Sequence, residues 1–96
     1  MSAKSEKIHL FVTGIVQGVG FRYATQAEAR KLGLTGWVRN TPDERVEILA
    51  QGDSRRLEVF LGWCKVGPAN ARVKAIDVVE RAAGEEPGLP DFEIRR

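Results

Sequence analysis

The chain has 96 residues, 43% of them hydrophobic and 29% charged, and a formal net charge of +2. That is enough for one domain with a modest core and too little for two. No apolar run is long enough to span a membrane, the weak positive charge favours a small anionic ligand over a nucleic acid, and the single cysteine, Cys64, excludes an internal disulfide and a thiolate metal centre.

Residues 1–7 read as a polar tail without a signal-peptide pattern, so a cytoplasmic location is the expectation, and residues 8–96 read as a single domain. Ile8, Leu10 and Val12 alternate with His9, Phe11 and Thr13, the period of a strand with one buried face. The stretch GIVQGVGFR, residues 14–22, follows, with glycine at 14, 18 and 20. Phe21, Thr25, Ala29 and Leu32 then recur at helical spacing, and Gly33 stands where a helix end is capped. Leu34 to Asn40 has Leu34, Gly36 and Val38 on one face, and Val46, Ile48 and Ala50 alternate again after Thr41-Pro42-Asp43-Glu44, so the pair predicts a β-hairpin. Asp53 fits the N-cap of a second helix whose stripe is Leu57, Phe60, Leu61 and Cys64, ended by Gly67-Pro68. Val73 to Arg81 predicts a fourth strand, irregular because its apolar phase shifts between Val73 and Ile76. A Gly/Pro-rich loop over 83–91 leads to a short last strand, Phe92 to Arg95.

The order βαββαβ plus one strand predicts an α+β ferredoxin-like sandwich, a mainly antiparallel sheet with two helices on one face. In this topology the first two strands run parallel with the third between them. The glycine stretch and Asn40 therefore meet at one edge, about two strand spacings of 4.8 Å apart, where the first helix also points its unpaired N–H groups and partial positive charge. Glycine lets backbone N–H groups converge on an anion, and Arg22 in the first helical turn can grip two phosphate oxygens. The spacing G-x-x-x-G-x-G is neither the Walker loop nor the dinucleotide fingerprint. A tight strand-to-helix turn accounts for the glycines equally well.

What is missing narrows the chemistry. His9 is the only histidine and lies in a strand, Cys64 lies on an apolar helix stripe, and the serines are Ser2, Ser5 and Ser54. No Ser-His or Cys-His nucleophile can be assembled, and no cluster has metal-ligand spacing, so neither a metal nor a cofactor is expected. Catalysis by positioning and electrostatics is left, which suits a substrate whose leaving group departs unaided, such as a carboxylic-phosphoric anhydride.

The blocks VQGVGFR (16–22) and LTGWVRN (34–40) resemble the two signature blocks of the acylphosphatase family, and the resemblance continues to the final FEI. It implies a metal-free, cofactor-free hydrolase that splits acyl phosphates into a carboxylate and phosphate. By the motif match Arg22 is the phosphate-binding arginine, Asn40 orients the attacking water, and Gln17, Gly18, Val19, Gly20 and Phe21 supply cradle N–H groups. The reading carries with it a small-molecule substrate, inorganic phosphate as product and competitive inhibitor, no nucleic-acid or membrane partner, and a monomer. One departure stands in the hairpin, where the family often has Asp-Gly and this chain has Asp43-Glu44. A left-handed Glu44 costs roughly 1 to 2 kcal/mol.

Trp37 and Cys64 are read as packing, His9 as a solvent-facing strand residue, and Arg39 and Lys31 as exposed charges. Two rival classes remain. An RNA-binding module needs aromatics on the open sheet face, yet the outward positions there are Phe11, His9, Thr13, Glu47, Leu49 and Gln51, a poor stacking platform. A non-catalytic domain of the kind that begins larger carbamoyl-transfer proteins is the other.

Overall fold

A computed structural model describes residues 4–96. Its elements are β1 (Ser5–Ile15), α1 (Phe21–Lys31), β2 (Thr35–Asn40), β3 (Val46–Asp53), α2 (Ser54–Cys64), β4 (Arg72–Ala83) and β5 (Glu93–Arg95). β1 starts three residues earlier than its apolar alternation announces. Ser5, Glu6 and Lys7 carry no apolar phase to mark them, and they join the strand by pairing with Asp53, Gly52 and Gln51 of β3. Asp53 caps α2 as expected, its Oδ1 accepting from the Arg55 N–H at 2.8 Å.

The sheet order is β4-β1-β3-β2-β5. All neighbours are antiparallel except β2 and β5, so β1 and β2 run the same way with β3 between them. Ile8, Leu10, Val12, Val38, Ile48 and Ala50 point to one face and are fully buried. Against them lie Phe21, Thr25 and Ala29 of α1 and Leu57, Phe60, Leu61 and Cys64 of α2. Each large side chain buried there stabilises the fold by about 1.5 to 3 kcal/mol relative to exposure. Thr25 is the one polar member, and its hydroxyl donates to the Phe21 carbonyl at 2.8 Å. The chain forms the two-helix, mainly antiparallel ferredoxin-like sandwich that the element order predicts.

Two details depart from the sequence reading. β4 extends to Arg72–Ala83, and its pairing with β1 shifts register twice, between Thr13 and Gly14 and between His9 and Leu10. The first shift falls where the apolar phase breaks. The second has no mark in the sequence. The last strand begins at Glu93, because Phe92 adopts φ 54 and drops its ring into the core, fully buried and 6.0 Å from Phe60. Burial of an aromatic ring offsets the roughly 1 to 2 kcal/mol that a left-handed residue costs.

Candidate functional site

The loop between β1 and α1 is fixed at its ends and open in its middle. Val16 and Phe21 are each 1% exposed and anchor it to the core, while Gly18 (φ 74) and Gly20 (φ 76) take the left-handed turns that reverse the chain between them. Gly20 is the N-cap of α1 and offers no side chain to the first helical turn, so the N–H groups at this end have no side-chain cap. Gly18, Gly20, Phe21, Arg22 and Asn40, with Val16 and Tyr23, line a single cleft of about 180 Å³. Tyr23, exposed beside Arg22, is a lining residue that the motif reading did not single out.

Asn40 reaches the cleft from two strands away. Val46 of β3 pairs with Val12 on one side and with Asn40 on the other, which levels the end of β2 with Val12, three residues before β1 gives way to the glycine loop. The Asn40 carboxamide oxygen is buried and has no hydrogen-bond partner among the described residues. An orphaned acceptor of this kind costs about 1 to 3 kcal/mol, so the hydrogen bonding of the fold does not account for it.

Two expected cradle residues do other work with their side chains. The Gln17 carboxamide turns away from the loop and donates to the carbonyls of Thr41 (2.9 Å) and Arg45 (2.8 Å), tying the glycine loop to the β2–β3 hairpin that ends in Asn40. Val19 packs on the core. The hairpin itself is cross-braced. The Thr41 hydroxyl donates to Asp43, lies 3.1 Å from the Arg45 carbonyl and accepts the Arg45 N–H at 3.0 Å, and Arg45 reaches Asp43 at 2.7 Å. The hydrogen bond from Thr41, with help from Arg45, holds the Asp43 carboxyl below the usual carboxylate range. Glu44 sits at φ 68, the left-handed conformation that the missing glycine puts in question.

Arg22 is steadied by the C-terminal segment. Its Nη1 donates to the Arg95 carbonyl at 3.3 Å, and one turn apart along the same helix stripe Gln26 donates to Phe92 and Arg30 to Asp91. No sequence motif announces this, because β5 arrives from the far end of the chain.

On the open sheet face His9 and Arg39 do more than solvate. His9 Nε2 lies 2.6 Å and Arg39 Nε 2.5 Å from the two oxygens of Glu47, which is only 6% exposed. Burial raises the Glu47 carboxyl, but the hydrogen bonds from Arg39 and His9 outweigh it and leave the group below its usual range. Trp37 lies on this face with the guanidinium groups of Arg39 and Arg95 5.7 and 5.1 Å from its ring centre. Its ring is thus occupied by arginine, and so is that of Phe11, with Arg45 4.2 Å away.

The chain matches the acylphosphatase family model over residues 8–94. An acylphosphatase of Methylococcus capsulatus is 48% identical over 91 residues, covering 95% of this chain and 97% of that one. One of Thermococcus kodakarensis is 48% identical over 92 residues, covering 95% and 97%. The crystal structure of an acylphosphatase from Bacillus subtilis superposes with a TM-score of 0.88 at 41% identity, covering 95% of this chain and 99% of that one.

Proposed function

The chain belongs to the acylphosphatase family and is a hydrolase of acyl phosphates, and on that premise we propose how the hydrolysis is done. A water accepted by the Asn40 carboxamide oxygen attacks phosphorus in line, while Arg22 and the N–H groups of Gln17 to Phe21 hold the phosphoryl oxygens. The bond between phosphorus and the carboxyl oxygen breaks and its electron pair leaves with the carboxylate. Both protons of the water end on the phosphate product. A carboxylate is a good leaving group, so no general acid is needed. Arg22 acts in the ground and transition states alike, and Asn40 in the transition state above all.

The observation that carries this reading is Asn40 itself, which lines the same cleft as Arg22 and the left-handed glycines and whose buried carboxamide oxygen has no partner among the described residues. In support of a metal-independent mechanism, no group of three or more His, Cys, Asp or Glu that could hold an ion is gathered among the described residues. No helix among them is long and apolar enough to cross a membrane. We read the chain from the start of β1 to residue 96 as one domain, three residues longer than the 8–96 of the sequence reading, that works without cofactor as a cytoplasmic monomer, with inorganic phosphate as product and competitive inhibitor and with no nucleic-acid or membrane partner. Incubation with an aryl acyl phosphate in EDTA tests the mechanism. Phosphate release at an undiminished rate is expected. Turnover lost on chelation and restored by a divalent cation would overturn it.

A further inference from the structure

The two halves of the Arg22 cleft belong to separate stretches of chain, and the sheet does not join them. The ladder between β1 and β3 ends at Val12 and Val46. Beyond that rung Thr13, Gly14 and Ile15 pair with β4, on the side of β1 away from Asn40. Among the described residues, no backbone hydrogen bond outside the helices and strands runs from the loop at 16–20 to the hairpin at 40–46. Packing does not clamp the middle of the loop either, since a Cβ on Gly18 or Gly20 would meet no heavy atom within 4 Å.

One side chain spans the gap. Gln17 Nε2 donates to the Thr41 carbonyl at 2.9 Å and to the Arg45 carbonyl at 2.8 Å. A carboxamide nitrogen carries two N–H groups, and both are committed here, so two acceptors fix the plane of the amide. The near end of the side chain is anchored because Val16, next to it, is buried in the core. The far end is anchored as well. The Thr41 N–H donates to the Arg45 carbonyl at 2.9 Å and the Glu44 N–H to the Thr41 carbonyl at 3.1 Å. Thr41 follows Asn40 directly, so a shift of its carbonyl carries Asn40 along.

We propose that the Gln17 side chain is a positioning residue, a strut that sets the distance between the phosphoryl group in the glycine loop and the water on Asn40. The inference rests on the hydrolytic reading above. Gln17 serves the cradle through its backbone N–H, so its side chain can be exchanged without removing a cradle donor. In-line attack tolerates little displacement, and an error of about 1 Å costs on the order of a hundred-fold in rate. Phosphate held by Arg22 and the loop N–H groups does not need Asn40 in register. The strut therefore acts on kcat and not on phosphate affinity.

Gln17→Met tests it, because methionine keeps the length and the apolar stem and removes both donors. With the fold checked by circular dichroism, kcat for acetyl phosphate should fall about ten- to a hundred-fold, while the Kd of inorganic phosphate by calorimetry should stay within about two-fold. Gln51→Met strips a buried amide of its two hydrogen bonds at the opposite end of the sheet and should keep kcat, which separates lost stability from lost register. In an Asn40→Ala background Gln17→Met should lower kcat by less than about two-fold, since a strut that works through Asn40 has nothing left to place. Should Gln17→Met not fold, Gln17→Asn, one methylene too short to reach both carbonyls, is held to the same criteria. A near-normal kcat in the Gln17 variant, a phosphate Kd weakened as much as kcat, or an equal fall in both backgrounds each overturns the strut. Slow Asn40→Ala with fast Gln17→Met refutes the strut alone, whereas fast Asn40→Ala refutes the water-orienting reading and the strut with it.

Discussion

The two ends of the sheet each present a carboxamide and a cleft, and they treat them in opposite ways. At the end away from Arg22, Gln51 is 7% exposed and fully engaged, its oxygen accepting the Glu86 N–H at 2.6 Å and its nitrogen donating to the Glu86 carbonyl at 3.1 Å. The cleft there is larger, about 310 Å³, but Glu85 and Glu86 line it. At the Arg22 end the cleft is smaller and the Asn40 oxygen is unpartnered. A dianionic phosphate is repelled by the glutamates and welcomed by an arginine beside open backbone N–H groups. The satisfied Gln51 amide holds its loop in place, and the unsatisfied Asn40 oxygen is what the proposed water-orienting role requires.

Substituting the two amides sharpens the contrast most. Asn40→Ala should lower kcat by about two orders of magnitude or more with phosphate affinity nearly intact, the loss typical of a deleted transition-state contact. Arg22→Lys should lose both, since an ammonium keeps the charge but not the two-point grip. Gln51→Ala should leave kcat alone and cost about 1 kcal/mol of stability. Urea unfolding and steady-state kinetics on the three variants decide it. A folded Asn40→Ala with near-normal kcat, or a slow Gln51→Ala, breaks the comparison.

The next effect is on pH. Glu47 braces the strand that ends in Asn40, and its folded carboxyl lies below the ordinary value of 4.5. The group therefore contributes stability that is present above the unfolded value and is lost as pH falls through the lower folded one. Glu47→Gln should cost about 1.5 kcal/mol at neutral pH, the lower end for a hydrogen bond to a charged group, and should flatten the decline in melting temperature below pH 4.5. An unchanged acid slope would mean that the His9, Glu47 and Arg39 contacts add nothing to the fold.

Phosphate should distinguish the ends by ligation. At ten times its Kd it should stabilise the wild-type protein by about 1.4 kcal/mol, roughly 6 to 11 °C in a domain of this size. The shift should persist in Gln51→Ala and vanish in Arg22→Lys. A flat titration of the wild type counts against the glycine-loop site. The smallest effect lies in the hairpin, where Glu44→Gly should stabilise by up to about 1 kcal/mol, because glycine adopts φ 68 without strain. A destabilised variant would show that the Glu44 side chain contributes more than its backbone costs.

Local physics made much of this protein legible in its sequence. Alternation at Ile8, Leu10 and Val12, the helical stripe at Leu57, Phe60, Leu61 and Cys64 and the Asp53 cap each depend on neighbours within a turn or a strand, so spacing and residue type reveal them, whereas they leave the turn at Glu44 open and the structure sets its φ at 68. Topology then brought the glycine loop and Asn40 to one edge, and the motifs named Arg22. What only the tertiary structure decided are contacts between residues far apart in the chain. The Gln17 side chain could have joined the cradle but ties down the hairpin, and Gln51 meets Glu86 across 35 positions. Arg22 rests on Arg95, and Phe92 turns left-handed to reach the core. A side-chain amide or guanidinium satisfies its hydrogen bonds equally well with any carbonyl in reach. Sequence states which groups need partners, and only the packed chain states which partners are near.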